Sequence, residues 1–282
     1  MAFEVFALVT APLEHHYRAP SGDVRRSFRD DPEGAKRYYA KYIEFVKRVV
    51  GGVILVWPFE PSEILDIGCG AGWSTQQLAE QLQTTVVGMD VHPSSFEAPI
   101  GGKVKFVAGS ALALPFRDDR FEFVTSYQTL EHVENPEAAL DEMRRVTSPG
   151  GVVIVAGPNL LGIGNSLRRI GNVVSLWTDN AEWPRHPFGN TLPQAAATLG
   201  RNTGLVLRKS LAPRPQFTMR TPDLRPPCRA DSDACYLLNP FDLEAYFLNH
   251  GWNIRRNSFP GRPAVTRAFA GGTWFAAQRN RD

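Results

Sequence analysis

Cysteine is nearly absent from this 282-residue chain, which has 3, an odd number with no CxxC pair. Cys69, Cys228 and Cys235 therefore build no disulfide framework, and the usage fits free thiols in a reducing, cytoplasmic setting. Cys228 and Cys235 are separated without a histidine partner close by, so no metal site is expected. A positively charged leader is also missing, because the short apolar run of MAFEVFALVTAPLEHH carries Glu4 and does not read as a signal peptide. Long hydrophobic runs are lacking as well. Val49 to Phe59 is interrupted by Gly51, Gly52 and Pro58 and falls short of the roughly 18 apolar residues of a membrane span. Nor is there an excess of one charge, with 31 Lys+Arg against 29 Asp+Glu. What remains is an ordinary globular composition, long enough for one decorated α/β domain or two small domains with a full core.

The near-neutral total conceals opposed blocks. Residues 1–60 carry +1, residues 61–159 carry −7, residues 160–230 carry +7, residues 231–254 carry −4 and residues 255–282 carry +5. Composition shifts divide the chain in a similar way. Residues 1–60 read as a helical N-terminal cap, with EGAKRYYAKYIEFVKRVV amphipathic over 33–50 and ended by Gly51 and Gly52. Over 61–159, short β-type runs (EILDIG, TVVGMD, KVKFVAG, FEFVTSY, GVVIVAG) alternate with helical segments, which predicts a parallel sheet with crossover helices. Residues 160–235 form a basic insertion after the fifth strand, with eight of the 22 prolines between Pro184 and Pro227, expected to be mostly irregular. Residues 236–282 bring back order with the helix FDLEAYFLNHGW and the strands NIRRNSF and TWFAAQR, expected to pair antiparallel at the sheet edge. The fold class is α/β: a Rossmann-like, doubly wound, mostly parallel seven-stranded sheet with an antiparallel C-terminal edge.

The most informative segment is ILDIGCGAGWST, residues 64–75. A buried strand runs into glycines at 68, 70 and 72 and then into a helix beginning near Ser74. Such glycines let a ligand approach the backbone closely, and the helix start offers unpaired N–H groups. The spacing is GxGxG, and the third glycine of a dinucleotide fingerprint is replaced by Trp73. Asp66 would repel a pyrophosphate but attract an ammonium and a sulfonium, the charges of S-adenosylmethionine. A second acid, Asp90, lies 18 residues past Gly72 at the end of the next strand, where it can accept from both ribose hydroxyls.

Together with VAGSALALPF and FEFVTSYQTLEHVENPEAALDEMRRVTSPGGVVIVAGPN, these segments resemble the class I S-adenosylmethionine-dependent methyltransferases, in the broad branch that includes the ubiquinone and menaquinone biosynthesis enzymes. The resemblance covers about residues 60–159 and, more weakly, 240–280. It implies S-adenosylmethionine as cofactor and S-adenosylhomocysteine as product. It assigns the methionine moiety to Asp66 and the loop Gly68, Cys69, Gly70 and Gly72. The ribose goes to Asp90 with Val91 beside it, the adenine edge to Ser110 and Ala111, and the floor beneath the methionine to Gln128. Ser110 stands where the family usually has Asp, though a hydroxyl can still accept from the adenine amino group.

Methyl transfer from a sulfonium asks mainly for positioning, with a base only where the acceptor carries a proton. The candidate bases are His132, which follows Glu131 after the fourth strand, His16 with His15 in the N-terminal segment, and His186 in the insertion. Each also reads as a packing or surface histidine. Tyr38, Tyr39 and Tyr42 can pack on the sheet or cover the cofactor. Cys69 reads as a small residue in a tight turn.

The acceptor is expected from the insertion. Arg168, Arg169, Arg185, Arg201, Arg208, Lys209, Arg214, Arg220, Arg225 and Arg229 suit an anionic small molecule, glycan or lipid-linked acceptor, or else pair with the acidic core. LLGIGNSLRRIGNVVSLW reads as a helix suited to core packing or to peripheral contact with a membrane. Two other functions compete with the small-molecule reading. An RNA methyltransferase is disfavoured by the lack of aromatics interleaved with the arginines, and a non-catalytic cofactor-binding subunit is suggested by the missing adenine-contact Asp. A nicotinamide dehydrogenase fits least, because of Trp73 and Asp66.

Overall fold

A computed structural model of the chain describes residues 31–56, 63–92, 102–175, 191–222, 233–257 and 264–281. Helix α1 (Pro32–Val56) leads into β1 (Glu63–Ile67), α2 (Trp73–Leu82), β2 (Thr85–Asp90), β3 (Val104–Ala108) and β4 (Phe121–Tyr127). A 3-10 turn (Leu130–His132), α3 (Pro136–Val146) and β5 (Thr147–Pro158) follow. Next come α4 (Ile163–Ser175), α5 (Leu192–Leu211), α6 (Pro240–Asn249), β6 (Asn253–Asn257), α7 (Ala264–Phe269) and β7 (Gly272–Gln278).

The seven strands form one sheet in the order β3-β2-β1-β4-β5-β7-β6. Strands β1 to β5 pair in parallel, while β7 runs antiparallel to both β5 and β6. The antiparallel C-terminal pair is therefore at the edge as expected, with β6 outermost. The strand order reverses at β1, which lies between β2 and β4, so the carboxyl ends of β1, β2 and β4 open a crevice at the switch point. Alternation sorts the strand residues between two cores. Leu65, Val87, Val124, Val153 and Phe275 pack with Leu140 and Met143 of α3 and with Phe247 of α6. On the other face Ile64, Val86, Phe123 and Ile154 pack with Val46 and Val50 of α1 and with Leu78 of α2.

Two expectations about helices need correction. Gly51 and Gly52 do not end α1, which continues to Val56. Each glycine costs roughly 1 kcal/mol in a helix, but Val49, Val50 and Val53 on either side are buried in the second core, and that burial outweighs the cost. The insertion is not mostly irregular in its described residues, since α4 and α5 supply 13 and 20 residues of helix. Thr191 and Gln194 form a capping box at the start of α5, and its proline sits in the first turn, where no backbone donor is lost. His15, His16 and His186 lie outside the described residues.

Buried polar contacts tie the insertion together internally and fasten it to the core. Asn202 of α5 donates to Leu160 O and to Ser166 Oγ of α4, both at 3.2 Å. Lys209, at the other end of α5, pairs with Asp242 of α6 at 2.7 Å, and their side chains are 1% and 2% exposed. Asp242 also accepts from Tyr236 Oη, Asn239 Nδ2 and Gln216 N, so its charge is fully hydrogen-bonded. Burial pulls the Lys209 ammonium below its ordinary value, and the adjacent Asp242 opposes that shift.

Removing one partner of such a pair leaves a buried charge, at a cost of about 3–5 kcal/mol. Lys209→Met should therefore lower the free energy of unfolding by about that amount, whereas Met at the neighbouring exposed Arg208 should change it by less than about 0.5 kcal/mol. Denaturant titration of the two variants measures the difference, and equal, small effects would show that the pair does not fasten the insertion.

Candidate active site

The site is built around the turn from β1 into α2. Gly68, Gly70 and Gly72 all have positive φ, at 72°, 55° and 87°. A side chain at Gly68 would collide with Thr129, whose Oγ1 lies 2.1 Å from the would-be Cβ. At Gly70 nothing lies within 4 Å, so the loop presents bare backbone to open space there. Gly68 N and Cys69 N both donate to Met89 O of β2, and Gly70 N donates to Asp90 Oδ2 at 2.9 Å. The other Asp90 oxygen accepts from His92 N at 3.0 Å. The expected loop and second acid are thus held together by direct hydrogen bonds, with Val91 half-buried next to them.

Asp66 sits beneath this loop, 1% exposed. Its Oδ2 accepts from Ser74 Oγ at 2.7 Å and Thr75 Oγ1 at 2.8 Å, and its Oδ1 from Thr125 Oγ1 at 3.2 Å and Tyr42 Oη at 3.4 Å. What its carboxylate holds directly is the start of α2, β4 and α1. Burial raises the Asp66 carboxyl above its ordinary value, and the four hydroxyls restrain the rise. The Cys69 thiol is pushed well up, first by burial and then by Asp90 and Asp66, so it is not a thiolate nucleophile.

Ser110 and Ala111 lie beside Asp90, because Gly109 N donates to Asp90 O. The Ser110 hydroxyl accepts from Leu112 N at 3.0 Å. Gln128, past the end of β4, has φ 51°, a strained conformation for a non-glycine residue. Its side chain accepts from Tyr38 Oη and donates to Tyr127 Oη, each at 3.1 Å. Tyr42 stacks on Tyr127 with ring centroids 4.5 Å apart, and Tyr39 meets the same ring edge-on. Burial pushes the Tyr127 hydroxyl up to about 12 and the Tyr39 and Tyr42 hydroxyls higher still, so these phenols are hydrogen-bond donors and not bases. Ala35 of α1 packs with Trp73 at the start of α2, which brings the first half of α1 against the glycine loop.

His132 closes the 3-10 turn after β4. Its Nδ1 is 3.6 Å from Asp233 Oδ2 and its Nε2 is 3.9 Å from Glu131 Oε1. The turn is stitched to the end of the insertion, since Glu131 O accepts from both Cys235 N and Tyr236 N. Of the three candidate histidines, only this one falls within the described residues. Asp233, the Tyr38–Gln128 bond and the Asp66–Tyr42 contact were not foreseen from sequence. A signal for Asp233 existed in the block 231–254, which carries four acids and no base. The ten basic residues scatter. Arg168, Arg201, Arg208 and Arg214 are exposed, Arg220 is half-buried, Arg169 is buried, Lys209 is paired with Asp242, and Arg185, Arg225 and Arg229 lie outside the described residues. No group of His, Cys, Asp and Glu suited to a metal occurs among the described residues.

The residues fit S-adenosylmethionine. Bare backbone at Gly70 faces open space next to the Asp90 carboxylate, and the amides that open α2 have no side-chain cap at Gly72.

Residues 65–155 match the family described as a methyltransferase domain. The chain is 33% identical over 104 residues to norajmaline N-methyltransferase of Rauvolfia serpentina, a match covering 34% of this chain and 36% of the relative. It is 32% identical over 136 residues to 2-methyl-6-phytyl-1,4-hydroquinone methyltransferase of Synechocystis, covering 46% and 42%. The matches thus span less than half the length of these relatives. A structure of an S-adenosylmethionine-dependent methyltransferase from Listeria monocytogenes superposes with a TM-score of 0.50 at 14% identity, covering 82% of this chain and 98% of that one, a likeness of fold. Residues 65–155 carry a methyltransferase domain, and its strand order, glycine loop and paired acids are those of the class I S-adenosylmethionine-dependent methyltransferases, whose cofactor is S-adenosylmethionine.

Proposed function

We propose that the chain transfers a methyl group from S-adenosylmethionine to a small-molecule acceptor. The observation that carries this reading is the Asp90 carboxylate bonded to the backbone of the open Gly70 loop. When bound, the cofactor supplies a methyl group already activated on a sulfonium, so the protein's work is to orient the two reactants and exclude water. Asp90 and the loop would hold the ribose and methionine ends, with Val91, Ser110 and Ala111 along the nucleoside. Gln128, fixed by Tyr38 and Tyr127, forms the floor beside the transfer. Asp66 contributes from below by fixing the loop and the start of α2. Relatives with similar domains methylate norajmaline on nitrogen and 2-methyl-6-phytyl-1,4-hydroquinone, both small molecules. An anionic acceptor is favoured by the insertion, whose described residues between 160 and 222 hold seven basic side chains and no acidic one.

For an acceptor that must lose a proton, His132 is the group to take it. The acceptor's O–H or N–H proton passes to a ring nitrogen of His132, while Asp233 and Glu131 on either side stabilise the resulting imidazolium. Asp233 acts as a positioning residue in this reading, delivered to the histidine by the end of the insertion.

Titration calorimetry with S-adenosylhomocysteine should give tight binding to the native chain. Asp90→Ala should lose about 2–4 kcal/mol of it, the worth of two hydrogen bonds to a charged group. Asp90→Asn, which keeps an acceptor for Gly70 N, should lose less. Binding indifferent to Asp90→Ala would sink the reading.

His132→Gln should lower kcat on a proton-bearing acceptor by about 10²-fold or more with KM little changed, and should leave binding of S-adenosylhomocysteine unchanged. Asp233→Asn should lower kcat less. An unchanged kcat in His132→Gln would remove the histidine from the mechanism.

A third outcome concerns Asp66. Because its folded-state carboxyl is raised above the unfolded value, its stabilising contribution is complete below the unfolded pKa and is lost as pH rises through the folded one. Asp66→Asn, around which the four hydroxyls can turn to accept, should therefore leave stability at pH 7 unchanged or raised. Lowering the pH toward 4 should shift the comparison in favour of the native chain. Cofactor affinity of the variant should fall, since the start of α2 that follows the loop is no longer held by a carboxylate. Marked destabilisation at neutral pH would contradict this account.

A further inference from the structure

Helix α5 has two unlike faces. Ala195, Asn202, Val206 and Lys209 are buried against the protein. On the opposite side Leu192, Ala196, Gly200, Thr203, Leu207 and Leu211 follow one another at helical spacing, all exposed and none charged. Leu207 and Leu211 are 64% and 77% exposed. Nothing lies within 4 Å of where a side chain would stand at Gly200, so the middle of this stripe is open. Arg201 and Arg208 flank it, exposed, and exposed Arg214 follows the helix. Helix α4, packed against α5, exposes Leu167 and Val174 with Arg168 next to them. Of eight exposed large hydrophobic residues among the described ones, six belong to this insertion. Scattered exposed leucines need no explanation, but this concentration on helices bearing only positive charge does.

We propose that the outer face of α5 docks on an anionic lipid bilayer, with the helix lying in the plane of the interface. The leucines would enter the headgroup–acyl boundary while Arg201, Arg208 and Arg214 meet lipid phosphates, the arrangement of an interfacial amphipathic helix. Charge complementarity decides the occupant. A second copy of the chain seated on the same face would bring two sets of arginines together, and neither α4 nor α5 has an acidic side chain to offset them. No helix of the described residues is long and apolar enough to cross a membrane, so the contact is peripheral. The buried Lys209–Asp242 pair on the inner face of α5 keeps the docked helix rigidly joined to the core.

Co-sedimentation with vesicles tests this without reference to methyl transfer, so the two readings fail independently. The native chain should bind vesicles of phosphatidylglycerol and phosphatidylcholine in equal parts, and should bind pure phosphatidylcholine vesicles and high-salt samples about tenfold more weakly. Leu207→Glu with Leu211→Glu should reduce binding to anionic vesicles by about tenfold or more while leaving the thermal melt unchanged, because both side chains are exposed. Arg201→Ala with Arg208→Ala should weaken binding and flatten its salt dependence. Absence of vesicle binding, or binding indifferent to the leucine substitutions, would overturn the proposal. A native dimer in sedimentation velocity that the leucine substitutions dissociate, without vesicle binding, would assign the face to a second copy instead.

Discussion

The buried Asp66 carboxylate is the interaction on which the rest of the molecule is arranged. It sits inside the sheet at the end of β1, where a charge is costly unless every lone pair is used, and hydroxyls from α1, α2 and β4 use them. Those three elements approach β1 from different directions, so satisfying one carboxylate fixes their mutual positions. The glycine loop runs directly over this junction, and its shape is inherited from it. A neutral apolar residue at position 66 would remove the desolvation penalty but also the reason for Ser74, Thr75, Thr125 and Tyr42 to converge.

A second constraint of the same type operates farther out. Lys209 and Asp242 join α5 to α6, and the Glu131 carbonyl joins the end of the insertion to the turn after β4. The insertion is therefore a built wall of the molecule in its described residues, and its basic composition serves two separate ends. One lysine neutralises a buried acid of the 231–254 block, while the exposed arginines remain available to anionic partners. The −4 and +7 blocks of the sequence meet at that pair.

How much of this was legible in the sequence depended on distance along the chain. Strand period, the GxGxG turn and Asp90 lie within about 30 residues of one another, and each is fixed by local backbone rules, so the sheet, the loop and the cofactor acids could be read directly. The end of α1 was misplaced because Gly51 and Gly52 are local helix breakers, and only tertiary burial of Val49, Val50 and Val53 carries the helix past them. Helix α5 was missed because its outer stripe of alanine, glycine and threonine gives a weak apolar period, and the prolines around it drew attention to turns. Contacts across long separations were invisible altogether, as with Tyr38 to Gln128, 90 residues apart.

That difference in distance separates the two halves of the chemistry. The cofactor half is encoded between residues 66 and 90, in a loop whose geometry is set by glycine torsions and a pair of acids that lie close in sequence. In the proposed reaction the acceptor half draws on residues 38, 128, 132 and 233, brought together from α1, the turn after β4 and the end of the insertion by bonds of the surrounding fold. A change in the insertion can thus move Asp233 relative to His132 without disturbing Gly70 or Asp90, because the bonds that hold Asp233 run through Cys235, Tyr236 and the 3-10 turn. The part of the acceptor side that comes from the insertion can therefore diverge while the cofactor side stays fixed, and the family match over residues 65–155 covers the cofactor side.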